Sequence, residues 1–244
     1  MNLETKELFD IKFLNIDLTS FVDVLKKHIE EKKKAFIITA NPITVLNFRD
    51  DDSFKAAVKS ANYITPDGVG ILLAAKFLKK PLKERVTGYD LMIKLLEIAN
   101  QNSYKVYLYG AHQNILKLAV ENINLKYPNV KICGHCDGYQ AGAVELLKIS
   151  ADIKAKKPDL IFVALGVPKQ ELWIKNNLDQ FEEGVFIGVG GSFDVLSGQT
   201  KRAPIGFQKL GIEWLYRVIT QPSRLKRLTF IPGFFIDTLK QKYK

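Results

Sequence analysis

The chain has 244 residues, 47% of them hydrophobic and 25% charged, with a formal net charge of +10. That is a globular composition, and no uninterrupted apolar run approaches the roughly 20 residues that a spanning helix needs. The two cysteines make no disulfide framework, and the charged opening Met1–Glu7 predicts no signal peptide, so a cytoplasmic location is expected.

The charge is unevenly placed. Residues 195–244 hold ten Lys or Arg against only Glu213 and Asp237, so most of the net charge falls there. Such asymmetry points to a polyanionic partner: nucleic acid, acidic lipid or a diphosphate.

Phe9-Asp10-Ile11-Lys12-Phe13 alternates and predicts a strand. Ser20 opens an amphipathic helix through Phe21, Val24, Leu25 and Ile29, with His28 as a partly buried helix residue. Ala35–Thr39 is a continuous apolar strand of the kind buried on both faces of a parallel sheet. It ends in Thr39-Ala40-Asn41-Pro42, where turn and cap chemistry competes with a ligand role for Thr39 and Asn41. Asp50-Asp51-Asp52 contains an Asp-x-Asp, a pair able to hold a divalent metal on a diphosphate. Its place after a helix end favours a solvated connection, and no metal site is expected.

Asn62–Thr65 predicts a strand end, Pro66 stops it, and Asp67-Gly68 turns the chain into a buried helix, Ile71–Phe77. Asp67 thus stands at the carboxyl end of a strand and the amino end of a helix. In open α/β sheets ligands bind on this rim, although Asp is also a preferred helix cap. The polar loop from Lys79 to Gly88 could cover the rim, with Arg85 as a guanidinium clamp on phosphate.

Regular alternation follows. Helices at Asp90–Asn100, Asn114–Lys126 and Val144–Ala155 separate strands at Lys105–Tyr109, Val130–Cys133 and Asp159–Ala164. Gly166–Glu171 opens another helix, and strand Val185–Val189 leads into a last core helix. This spacing predicts an α/β fold, a doubly wound, mainly parallel Rossmann-like sheet over 1–198, with a basic amphipathic helical appendage over 199–244. Cys133-Gly134-His135-Cys136 lacks further zinc ligands and ends a strand, so both cysteines are read as structural.

Gly188-Val189-Gly190-Gly191-Ser192-Phe193 fails the dinucleotide fingerprint at its last position. NAD is therefore not supported, and no cofactor is expected. Gly190, Gly191 and Ser192 still let backbone N–H groups approach a nucleotide diphosphate. Tyr139 could stack on a base, and Asp194 could accept a hydrogen bond from a pyrimidine imide.

Taken together, Thr39–Pro42, Pro66–Gly70, Glu84–Asp90, Leu165–Glu171, Gly188–Asp194, Lys201–Pro204 and Gly211–Arg217 resemble the WecG/TagA/CpsF family of glycosyltransferases. The resemblance runs across most of the chain in order. It implies inverting, metal-independent transfer of an N-acetylmannosamine-type sugar from a UDP-sugar donor. The implied acceptor is N-acetylglucosamine on undecaprenyl diphosphate, at the inner face of the cell membrane. The nearest branch starts the wall teichoic acid linkage unit; a branch using the uronic acid shares the motifs. Asp67 matches the family's proposed base. Thr39, Asn41 and Gln170 match pocket positions that would orient sugar hydroxyls and the acetamide, and Arg85 would stabilise the leaving UDP.

Residues 204–221 predict one amphipathic helix, and Ser223 restarts a second. Basic residues among large apolar ones suit an anionic membrane surface. Trp214, Phe230, Phe234 and Phe235 would enter it, while Arg217, Arg224 and Arg227 would meet the acceptor's diphosphate. The competing classes are a nucleotide-dependent oxidoreductase and a nucleic-acid-binding module. The first has a broken fingerprint and the second lacks any motif, so no nucleic-acid partner is expected. A homo-oligomer stays open.

Overall fold

The computed structural model describes residues 3–139, 143–209, 211–220 and 229–243. A hairpin, β1 (Thr5–Leu8) and β2 (Ile11–Leu14), precedes α1 (Leu18–Glu30). Six parallel strands then form one sheet in the order β4 (Tyr63–Pro66), β3 (Ala35–Ala40), β8 (Val185–Gly188), β7 (Leu160–Ala164), β5 (Lys105–Gly110), β6 (Lys131–Cys136). The predicted doubly wound α/β sheet is therefore the architecture found.

Helices cover both faces because the central strands are apolar on both sides; every residue of β7 and β8 is buried. One layer packs α1, α5 (Gly88–Asn102), α6 (Gln113–Lys126) and α9 (Ser192–Leu196) against Ile37, Leu108, Phe162 and Ile187. The other packs α2 (Pro42–Asp50), α3 (Asp52–Ser60), α4 (Val69–Phe77), α7 (Ala143–Lys156), α8 (Lys169–Asn177) and α12 (Phe230–Lys242) against Phe36, Ile38, Ile161 and Phe186.

Two expectations fail for local backbone reasons. The strand expected across Phe9–Phe13 is interrupted, because Phe9 and Asp10 adopt φ of 56° and 58° and turn the hairpin. Such turns favour Asn-Gly, so neither residue advertises this one. The single helix expected over 204–221 is two: α10 (Ile205–Lys209) and α11 (Glu213–Thr220), separated at Gly211 with φ of 72°. The helix expected to restart at Ser223 begins outside the described residues. Pro232 lies in the first turn of α12, where a missing N–H costs no helical bond.

The two ends of the chain meet. Phe234 is buried in the second apolar layer, and its ring lies 5.2 Å from that of Phe9. Phe9 N donates to Gln241 Oε1 at 3.0 Å, and Arg49 pairs with Asp237 at 2.6 Å. Phe234 is thus a core residue, unlike Trp214 and Phe235, which are exposed.

Candidate active site

Because the six strands are parallel, all their carboxyl ends lie on one edge. The chain leaving β8 turns toward the first layer, whereas the chains leaving its neighbours β3 and β7 turn toward the second. Loops that part in this way open a crevice at the strand ends.

Asp67 follows the last residue of β4, its N–H bonded to the Ala40 carbonyl at 2.8 Å. Gly68, and not Asp67, holds the cap position of α4, with φ of 96°. The Arg85 loop is fastened alongside, since Val86 N donates to the Pro66 carbonyl at 2.9 Å and Thr65 Oγ1 donates to the Val86 carbonyl at 3.2 Å. Arg85 and Asp67 thus flank one backbone pairing.

Thr39 lies opposite Thr65 in the β3–β4 register, partly buried. A Cβ on Gly88 would come 3.1 Å from Thr39 Oγ1, a tight contact that glycine avoids where α5 starts. Asn41 does cap: its Oδ1 accepts from Ile43 N at 2.9 Å and Thr44 N at 3.2 Å. That arrangement uses the oxygen and leaves the Nδ2 amide outside it.

Gln170 takes a position that sequence did not disclose. Its Oε1 accepts from Gly190 N at 3.0 Å and Gly166 N at 3.2 Å, joining the loops after β8 and β7. Its Nε2 donates to Glu171 Oε1 at 2.8 Å. The Gly190 N–H expected to meet an anion is thus taken by the protein. Ser192 is likewise engaged, donating its hydroxyl to the Val189 carbonyl at 2.6 Å.

Glu171, only 2% exposed, has one carboxyl oxygen, Oε2, buried without a hydrogen-bond partner. Loss of water raises its carboxyl to about 7. It lies within a motif noted in the sequence, but nothing in that motif marks it as buried.

At the other end of the edge, Tyr139 is exposed beyond β6 and its ring stacks on His112 at 3.6 Å between centroids. The loop is held there by Gly138 N donating to the Ala111 carbonyl at 2.9 Å. Asp194 sits in the first turn of α9, partly buried, and α9 packs on α6, the helix that begins after His112.

The segment after α9 returns to the rim. Arg202 Nη2 contacts Asp90 Oδ1 at 2.5 Å, with its guanidinium 4.7 Å from the Tyr89 ring. Arg85 and Glu213 approach to 3.8 Å, and a Cβ on Gly211 would lie 2.8 Å from Val69 Cγ2. These contacts bring the start of α11 beside Asp67 and Arg85. Arg217 is in α11, with its side chain outside the described residues; Arg224 and Arg227 lie outside them altogether.

Of the aspartates at the junction of α2 and α3, Asp52 lies in the first turn of α3 and the other two have local partners. Asp51 caps α3 through Ser53 N and Phe54 N, and Asp50 pairs with Arg49. Burial pushes both Cys133 and Cys136 thiols up, as suits structural cysteines. His28 bonds the Tyr63 hydroxyl at 2.9 Å, in keeping with a partly buried helix residue.

Polar groups gather at the carboxyl edge of a doubly wound parallel sheet, the edge at which proteins of this α/β class bind their ligands. Comparison with known proteins narrows that class. A sequence model of the Glycosyl transferase WecG/TagA/CpsF family matches residues 6–244, and the chain belongs to this family. It is 40% identical over 242 residues to the N-acetylglucosaminyldiphosphoundecaprenol N-acetyl-beta-D-mannosaminyltransferase of Bacillus subtilis strain 168, across 98% of this chain and 93% of that protein. The protein of the same name from Staphylococcus aureus NCTC 8325 is 37% identical over 245 residues, across 100% of this chain and 95% of the relative. Among the described residues, no helix is long and apolar enough to cross a membrane.

Proposed function

We propose that this glycosyltransferase moves N-acetylmannosamine from its UDP conjugate to N-acetylglucosamine carried on undecaprenyl diphosphate, with inversion. This is the step that begins a wall teichoic acid linkage unit. The observation that carries the reading is Asp67, a carboxylate at the end of β4 beside the Arg85 loop, in a chain 40% identical to a transferase of that name.

Asp67 takes the acceptor hydroxyl proton as the oxygen attacks the anomeric carbon, and the bond to UDP breaks with its electron pair leaving on the diphosphate. A positioned base of this kind contributes about 10²–10⁴-fold. Arg85 stabilises the departing charge, and Thr39, Asn41 and the loops tied by Gln170 shape the sugar site. Tyr139 and Asp194 receive the uracil, with Gly191 near the phosphates. Arg217, Arg224 and Arg227 close on the acceptor diphosphate from segment 199–244, which holds the enzyme on the inner membrane face. No metal takes part.

Purified enzyme given UDP-N-acetylmannosamine and a short-chain lipid-diphosphate N-acetylglucosamine should release UDP and form a disaccharide in EDTA. The corresponding uronic acid donor should turn over far more slowly. Asp67→Asn should bind UDP normally while turnover falls by about two orders of magnitude or more. Near-normal turnover of that variant places the base elsewhere, and a magnesium requirement overturns the metal-free mechanism.

A further inference from the structure

The apolar sequence of α4 predicts a buried helix, yet the fold buries only part of it. Ile71, Ala74 and Ala75 face the core, while Leu73 is 61% exposed and Phe77 41% exposed. Residues four apart lie one above the other, so these two side chains make an outward stripe.

α12 runs alongside. A Cβ on Gly70 would lie 3.8 Å from Phe234 Cε1, and Lys242 Nζ stands 3.9 Å from the centroid of the Phe77 ring. Since Gly70 meets Phe234 and Phe77 meets Lys242, the helices lie side by side in the same direction. α12 adds its own exposed apolar residues, Ile231, Phe235 and Ile236. Between the carboxyl ends of the helices is a pocket of about 250 Å³, lined by Phe77, Leu78, Lys79 and Lys242 among others.

The charges on this face have one sign. Lys76, Lys79, Lys240 and Lys242 are exposed, and residues 68–83 contain no acid. Asp237, the acid of α12, is turned to Arg49. Exposed apolar side chains ringed by lysines suit a surface that is apolar beneath and anionic at its boundary. A second copy of the same face would set lysine against lysine.

We propose that α4 and α12 together form a docking surface for an anionic lipid bilayer, with Leu73 and Phe77 of the catalytic core entering the headgroup boundary. The inference rests on the proposed lipid-linked acceptor. Only Gly68 separates Asp67 from α4, so docking this helix holds the candidate base near the depth of a lipid-borne diphosphate. The core itself, and not the C-terminal segment alone, then sets the height of the active site above the membrane.

The test uses the full chain with Leu73→Gln and Phe77→Gln, exposed helix positions where glutamine keeps the helix. Flotation with phosphatidylglycerol vesicles should fall at least about tenfold relative to the parent. Turnover on an acceptor embedded in those vesicles should fall with it, while turnover on a soluble short-chain acceptor stays unchanged. Parental flotation by the double variant overturns the proposal. So does a shift from oligomer to monomer in gel filtration with vesicle binding intact, which assigns the face to a second copy. Should the double variant fold poorly, Leu73→Trp decides: brominated phosphatidylglycerol should quench the introduced indole, and unaltered emission overturns docking. An enzyme that floats normally but transfers no sugar to any acceptor refutes the proposed reaction and leaves the docking result standing.

Discussion

At Glu171 a carboxyl group has given up nearly all its water, with the Gln170 amide donating to one oxygen and the other left without a partner. Burial lifts it from an ordinary 4.5 to about 7, so across that window the folded protein keeps a proton that the unfolded chain has lost. Stability is therefore penalised progressively as pH rises from 4.5 to 7, and fully above that range. Glu171→Gln keeps an acceptor for Gln170 and removes the ionisation. It should be more stable than the parent above neutral pH by up to about 3 kcal/mol, with the gap closing in acid. Thermal unfolding followed from acid to mildly alkaline pH checks this; a gap that does not widen with pH contradicts it. Gln170 then depends on Glu171 for orientation, since its oxygen must face two backbone N–H groups and its nitrogen the carboxyl.

Between elements, β8 fits closely against the start of α8. A Cβ on Gly188 would lie 2.5 Å from Gln170 Nε2 and 2.9 Å from its Cδ, and that side chain is anchored at both ends of its amide. Gly188→Ala should therefore cost about 1–3 kcal/mol by overpacking. It should also loosen the Gly166 and Gly190 loops, raising KM for the UDP donor. Thermal unfolding together with donor titration reads both effects, and an unchanged melting temperature would mean that Gln170 can swing aside. The same logic explains the start of α5, where Gly88 lets the helix approach Thr39.

For the whole molecule, the notable feature is closure of the chain on itself. The basic C-terminal segment touches the rim through Gly211 and Glu213, and its last helix lies on α2 and the N-terminal hairpin. Deleting residues 230–244 should weaken the core, because Phe234 leaves the second apolar layer and uncovers Phe9 and Leu46. Loss of a buried Phe side chain typically costs about 3–5 kcal/mol. The truncated protein should melt several degrees lower and lose turnover even on a soluble acceptor. A melting temperature equal to the parent's would show that α12 contributes nothing to the core.

The sequence by itself determined the layered α/β sheet, the alternation of strands and helices, and the placing of Thr39, Asn41 and Asp67 at strand ends. Those features follow from local periodicity and turn chemistry, which neighbouring residues specify together. Which polar groups the fold consumes was decided only in three dimensions. Asn41 spends its oxygen on a cap, Gly190 gives its N–H to Gln170, and Gly68 rather than Asp67 takes the cap position of α4. The exposed stripe of α4 is likewise tertiary. Its residues are apolar on nearly every side, so periodicity cannot say which side meets the core; packing against Pro42 and Phe234 selects one face and leaves Leu73 and Phe77 outside. The hairpin turn at Phe9-Asp10 and the break at Gly211 also escaped the sequence. Long-range contacts with Phe234 and Val69 accompany them, and a local pattern cannot report partners more than a hundred residues away.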